Sequence, residues 1–118
     1  MNDTRDHDGI SRLRQLIMGF RLTQLIYVTA KLELADHLAQ GPLTAPELAL
    51  SLGVDAGALF RLLRALASLG VFAESTDGRF EMTPAAELLR RHTPGSLRST
   101  ALLYGDELLW RAYGKLSH

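Results

Sequence analysis

The side chains best suited to acid–base or metal chemistry are four histidines, His7, His37, His92 and His118. None recurs at the three- or four-residue interval that sets two ligands on one helix face. His7 stands between Asp6 and Asp8, a weak metal-ligand pattern whose plainer reading is a solvated arm. Asp36 and His37 are neighbours, and neighbours on a helix point about 100° apart. They read as a helix-end charge and a half-buried histidine, not as a hydrogen-bonded dyad. The ten glycines are scattered, with no Gly-x-Gly-x-x-Gly and no phosphate loop. The chain has no cysteine, which excludes a thiol nucleophile, a Cys-based zinc site and disulfides, and suits a reducing compartment. No catalytic, cofactor-binding or metal-ligating residue is expected.

Two further groups invite a binding role. Arg61 and Arg64 sit one helical turn apart and Arg79 lies further on, which suggests DNA contact. Between Thr44 and Met82, however, five acids (Glu47, Asp55, Glu74, Asp77, Glu81) outweigh three bases (Arg61, Arg64, Arg79), a net of −2. Phosphate attraction supplies most non-specific DNA affinity, so an acidic block forfeits it. Gly57, Ala58, Ala65 and Ser68 are also too short to read bases well. DNA is therefore not the partner expected, and the arginines are expected to cover apolar surface and pair with local acids. The second group is aromatic: Trp110 and Tyr113 lie three apart on one helix face, and Tyr104 lies six residues before Trp110. They form either core or a wall for a flat aromatic molecule.

The elements that must position these residues are mostly helical. The 118 residues, 47% hydrophobic and of zero formal charge, suit one domain. Residues 1–9 lack hydrophobic periodicity and read as a disordered arm. Dimerisation helices are expected over residues 10–40, one from Ile10 to Phe20 and one from about Arg21 to Ala39, stopped by Gly41-Pro42. They are apolar on too many sides for a small monomer, so a second chain is expected against Leu13, Leu16, Ile17, Phe20, Leu25 and Val28. Residues 41–95 read as a winged helix. Thr44 and Glu47 form a capping box, Asp55 caps a helix to Leu69, and strands Val71–Ser75 and Arg79–Met82 flank a tight Asp77-Gly78 turn. Thr83-Pro84 opens a helix through Arg91, and a last helix occupies 96–118, loosened at Gly105. The fold class expected is mainly α with a two-stranded β-hairpin. The polar, acidic start is unlike a signal peptide, and no apolar run approaches the ~18 residues of a membrane span. A soluble cytoplasmic protein is expected.

Several strings, in order, match a known pattern: KLELADHLAQGPLTAPELA, LFRLLRALASLGVF, DGRFEMTPAAELLR and the tail YGDELLWRAYGKL. The chain resembles the N-terminal domain of the dimeric, S-adenosylmethionine-dependent small-molecule O-methyltransferases of plant phenolic and bacterial polyketide pathways. The resemblance covers nearly all of the chain after residue 10. It implies a homodimer with intertwined first helices and a winged helix that dimerises without binding DNA. It also implies an acceptor pocket for a small aromatic or polyketide-like substrate, walled by the last helix and by the partner's first helix. By position, Met18, Phe20, Tyr104 and Trp110 are its candidates. Nothing here matches the family's Gly-rich loop for S-adenosylmethionine, its ribose-binding acid or its catalytic base. This chain alone is therefore expected to bind no cofactor and transfer no methyl group, whether it is a fragment or a stand-alone copy. The alternatives are a winged-helix transcription regulator and a separate ligand-binding subunit that completes an active site elsewhere.

Overall fold

The computed structural model describes residues 3–115, with the backbone alone for 3–6. A 29-residue helix, α1 (Asp3–Lys31), leads into a short α2 (Leu34–Leu38). Strand β1 (Leu43–Thr44) and helices α3 (Ala45–Leu52) and α4 (Ala56–Ser68) follow. Next come the hairpin strands β2 (Phe72–Glu74) and β3 (Arg79–Met82), then α5 (Pro84–Glu87), α6 (Arg98–Tyr104) and α7 (Glu107–Lys115). The class is mainly α, and the order helix, turn, helix, hairpin is present.

The local reasons are those the sequence announces. Thr44 Oγ1 accepts from Glu47 N while Glu47 Oε1 accepts from Thr44 N, closing the capping box that starts α3. Gly53 takes the left-handed conformation, φ 69°, that ends α3. Asp55 Oδ2 accepts from Ala58 N at 2.8 Å to open α4. Thr83 Oγ1 accepts from Ala86 N to start α5 and donates to Val71 O, which ties that start to the link between α4 and β2.

These elements enclose one core. Leu34, Leu38, Leu48, Leu63, Leu66, Phe72 and Phe80 are fully buried there, with Phe60 edge-on to Phe80. Leu25 and Ile26 pack against it from α1, but nothing earlier in α1 does. Buried Thr29 donates to Leu25 O within its own helix, so its hydroxyl costs nothing unpaired.

Five expectations are corrected. Residues 3–9 are helical, not an arm, and no break divides Phe20 from Arg21. Nothing there removes a backbone donor, and a nucleated helix gains a hydrogen bond with each added residue. The break falls instead at Leu32-Glu33, where Glu33 adopts φ 56°. Ion pairs to Arg91 (3.1 Å) and Arg98 (3.5 Å) hold Glu33 in a conformation glutamate rarely takes. The sheet has three strands, not two, in the order β1-β3-β2, because Leu43 pairs with Phe80 and Thr44 with Arg79 on the open edge of the hairpin. The helix after Thr83 ends at Glu87 rather than Arg91, since Leu88 O and Arg90 O are taken by Leu97 N and Ser96 Oγ. The expected last helix is two, α6 and α7, parted at Gly105-Asp106. Residues 1–2 and 116–118, including His118, lie outside the described residues.

Candidate functional site

Two features stand apart from the core. The first is the N-terminal half of α1, which projects from the body with Ile10, Leu13, Leu16, Ile17 and Phe20 all exposed, Leu16 by 68% and Ile17 by 60%. Side chains of this type carry most of the favourable free energy of burial, and here they face outward. Of the six residues expected at an interface, Leu13, Leu16, Ile17 and Phe20 lie on this free half. Leu25 and Val28 lie further along, half-buried beside the body.

The second feature is an aromatic corner where α6 and α7 meet α1. Gly105 is buried, and a Cβ there would stand 2.3 Å from Tyr27 Cβ, so only glycine lets the corner come this close. Gln24 Nε2 donates to Gly105 O, pinning the corner to α1. Trp110 Nε1 donates to Tyr104 O at 2.8 Å, and the Trp110 ring meets Phe20 edge-on with centroids 6.1 Å apart. Phe20, Tyr104 and Trp110 are thus brought together. Met18 is not: it lines a hollow on the α4 side of α1, with Leu69.

Two clefts open at this corner. One, about 410 Å³, is lined by Thr23, Tyr104, Leu109, Trp110 and Tyr113. The other, about 440 Å³, lies between α1 and α6 and includes Ile26, Leu97 and Thr100. They share Thr23 and Tyr104, and among the described residues no charged side chain lines either. The chemistry offered is a flat apolar surface with a few hydroxyls, suited to an uncharged aromatic ring system. Sequence reasoning missed Thr23, Gln24 and Tyr27, and read Gly105 as a loosening of the helix when it is a point of close approach.

The remaining candidates do structural work. Arg64 pairs with Glu74 and lies over the Phe60 ring, while Arg79 pairs with Glu47 and Asp77. His37 Nδ1 lies 2.9 Å from Glu33 O. The Asp36 carboxylate accepts from Arg91 N and pairs with Arg90. The bond from Thr44 N, aided by Arg79, holds the Glu47 carboxyl below its ordinary value, and Ser75 does the same for Asp77. Among the described residues no three His, Cys, Asp or Glu side chains are placed to hold a metal, and no helix is long and apolar enough to cross a membrane.

Comparison with known proteins gives this geometry a family. Residues 14–92 match the O-methyltransferase dimerisation domain. The chain is 45% identical over 108 residues to the phenazine O-methyltransferase of Lysobacter antibioticus, covering 92% of this chain and 31% of that protein. It is 42% identical to the 3-amino-4-hydroxybenzoate 4-O-methyltransferase of Streptomyces cremeus, covering 91% and 29%. The crystal structure of the N,N-8-amino-8-demethyl-D-riboflavin dimethyltransferase from Streptomyces davawensis superposes with a TM-score of 0.86 at 36% identity, covering 92% of this chain and 32% of that one. The chain spans about a third of the length of the curated relatives it matches. The chain belongs to the O-methyltransferase dimerisation-domain family.

Proposed function

We propose that this chain is the self-associating and substrate-capping domain of an S-adenosylmethionine-dependent methyltransferase of secondary metabolism, working as a homodimer in the cytoplasm. The carrying observation is the free half of α1, whose Leu13, Leu16 and Ile17 are more than half exposed among the described residues. A stripe of this kind is covered by association. The helix-turn-helix and hairpin then serve as a winged-helix scaffold. Arg64 and Arg79 are engaged with Glu74, Glu47 and Asp77, which supports a scaffold over a DNA reader.

In this reading the aromatic corner forms one wall of the acceptor pocket. Phe20, Tyr104 and Trp110 present ring surface, and Thr23 and Tyr104 orient the acceptor by hydrogen bonds. The relatives' names point to a phenazine, an aminohydroxybenzoate and a riboflavin derivative as substrates, flat ring systems of the kind such a wall suits. S-adenosylmethionine supplies the methyl group in a complete enzyme. What these residues contribute is orientation and exclusion of water, which act on rate through geometry.

Sedimentation equilibrium at micromolar concentration tests the association, with a dimer expected and a monomer fatal to the reading. Titration of phenazine or 1-naphthol against the emission of Trp110, the sole tryptophan, tests the wall. Saturable quenching is expected, and an unchanged spectrum with both compounds would remove the capping role.

A further inference from the structure

Helix α6 has few means of its own to stay in place. It is seven residues long, buries none of them fully, and its N-cap, Leu97, offers no side-chain acceptor. A helix that short is not stable by itself in water. It is held instead against the last two turns of α1, at both of its ends. At the far end Gly105 O accepts from Gln24 Nε2. At the first turn Arg98 Nε donates to Ala30 O at 3.2 Å, and Arg98 Nη2 lies 3.5 Å from Glu33 Oε1. Ala30 stands in the last turn of α1, where the helix dipole favours a cation. The two attachments run α6 back along α1, and their spacings agree. Arg98 to Gly105 rises about 10 Å and Gln24 to Ala30 about 9 Å, at about 1.5 Å per residue.

The 440 Å³ cleft opens along this seam, with Leu22, Thr23 and Ile26 on α1 facing Thr100, Ala101 and Tyr104 on α6. Neither Arg98 nor Glu33 lines it. Building on the reading of this corner as an acceptor wall, we infer that Arg98 and Glu33 are positioning residues of the wall, which set the width of the α1–α6 cleft without touching what fills it. The backbone at Glu33 supports this. Its φ of 56° strains any residue but glycine, and glycine would serve the turn better. What glutamate adds is a carboxylate for Arg98 and Arg91. The planar guanidinium fixes direction as well as distance, which an ammonium does not. The side chains of the pair are only 21% and 31% exposed, so solvent screens it less than the ion pairs of the hairpin. Loss of the fork frees the first turn of α6 while the Gly105 end stays attached. An acceptor held between two walls then loses the fit of one. The stability of the body, carried by its buried leucines and phenylalanines, changes little.

The test is the binding of 1-naphthol to the full chain, read by calorimetry beside the urea midpoint. Arg98→Met keeps the apolar stem and removes the fork, and the dissociation constant is expected to rise about fivefold. Glu33→Gly relieves the turn while removing the acceptor, so it should be at least as stable as wild type and still bind more weakly. The double variant should bind no more weakly than Arg98→Met alone, since both changes break one contact. Arg64→Met, which breaks the ion pair to Glu74, is the control and should bind as wild type does. Wild-type affinity in Arg98→Met and Glu33→Gly, additive losses in the double variant, or an equal loss in Arg64→Met would overturn this inference and leave the wall standing. A wild-type chain that takes up no 1-naphthol would overturn the wall and the inference together.

Discussion

Gly105 shows how one residue fixes the aromatic corner. Replacing it with alanine puts a methyl group where Tyr27 Cβ already stands, 2.3 Å away, and neither atom belongs to a flexible tip. Overpacking of this kind costs about 1–3 kcal/mol. Gly105→Ala is expected to lower stability by that amount in urea unfolding and to shift Trp110 emission, because the Trp110–Tyr104 bond depends on the same corner. Gly19→Ala is the control: its Cβ meets nothing within 4 Å, and it is expected to stabilise the helix by up to ~1 kcal/mol. Glu47 carries a pH dependence of known sign. Its folded value is depressed from 4.5 by the Thr44 N bond and by Arg79, so its contribution is present above the ordinary value. That contribution is lost as pH falls through the depressed one. In Glu47→Gln the melting temperature should fall less steeply on acidification below about pH 4.5 than in wild type. An identical slope would show that the carboxylate contributes nothing in the folded state.

At the scale of elements, legibility follows the range of the forces involved. The starts of α3, α4 and α5 were readable because Thr44, Asp55 and Thr83 satisfy donors three residues away. The hairpin was readable from Asp77-Gly78. By contrast, the break at Glu33 depends on Arg91 and Arg98, more than fifty residues downstream, and glutamate gives no local sign of a left-handed turn. Strand β1 is two residues long and exists only because β3 offers an edge. Of the candidate site, the residue types were legible at Phe20, Tyr104 and Trp110. Their convergence depends on the Gly105–Tyr27 approach, and Met18 faces elsewhere because a two-residue step from Phe20 turns it across the helix. The same contrast between sequence and packing governs two leucines of neighbouring helices. Leu63 on α4 is fully buried and Leu50 on α3 is 87% exposed. Leu63→Ala should cost about 2–5 kcal/mol by cavity formation, and Leu50→Ala under about 0.5 kcal/mol. Urea midpoints at constant slope check the pair, and comparable losses would mean that the exposed face of α3 is covered in solution.

The whole molecule divides into a body that closes its own core and an arm that does not. Among the described residues α1 joins the core from Leu25 onward, and ahead of it Gln24 and Phe20 touch only the corner at Gly105 and Trp110. Folding and association are therefore expected to be separable, unlike those of an obligate dimer that has no folded monomer. Leu13→Asp with Ile17→Asp places two charges in the centre of the stripe, where association would have to desolvate them. The double variant is expected to sediment as a monomer while keeping the helical circular dichroism and the urea midpoint of the body. Sodium chloride gives the complementary check. A contact made by apolar side chains is insensitive to ionic strength, whereas one held by the arm's arginines would weaken as salt screens them. The wild-type dimer should hold its dissociation constant from low to high salt. A dimer that dissolves in salt would move the interface from the stripe to Arg12, Arg14 and Arg21. A double variant that unfolds would show that the arm is part of the fold, and that body and arm cannot be treated as independent units.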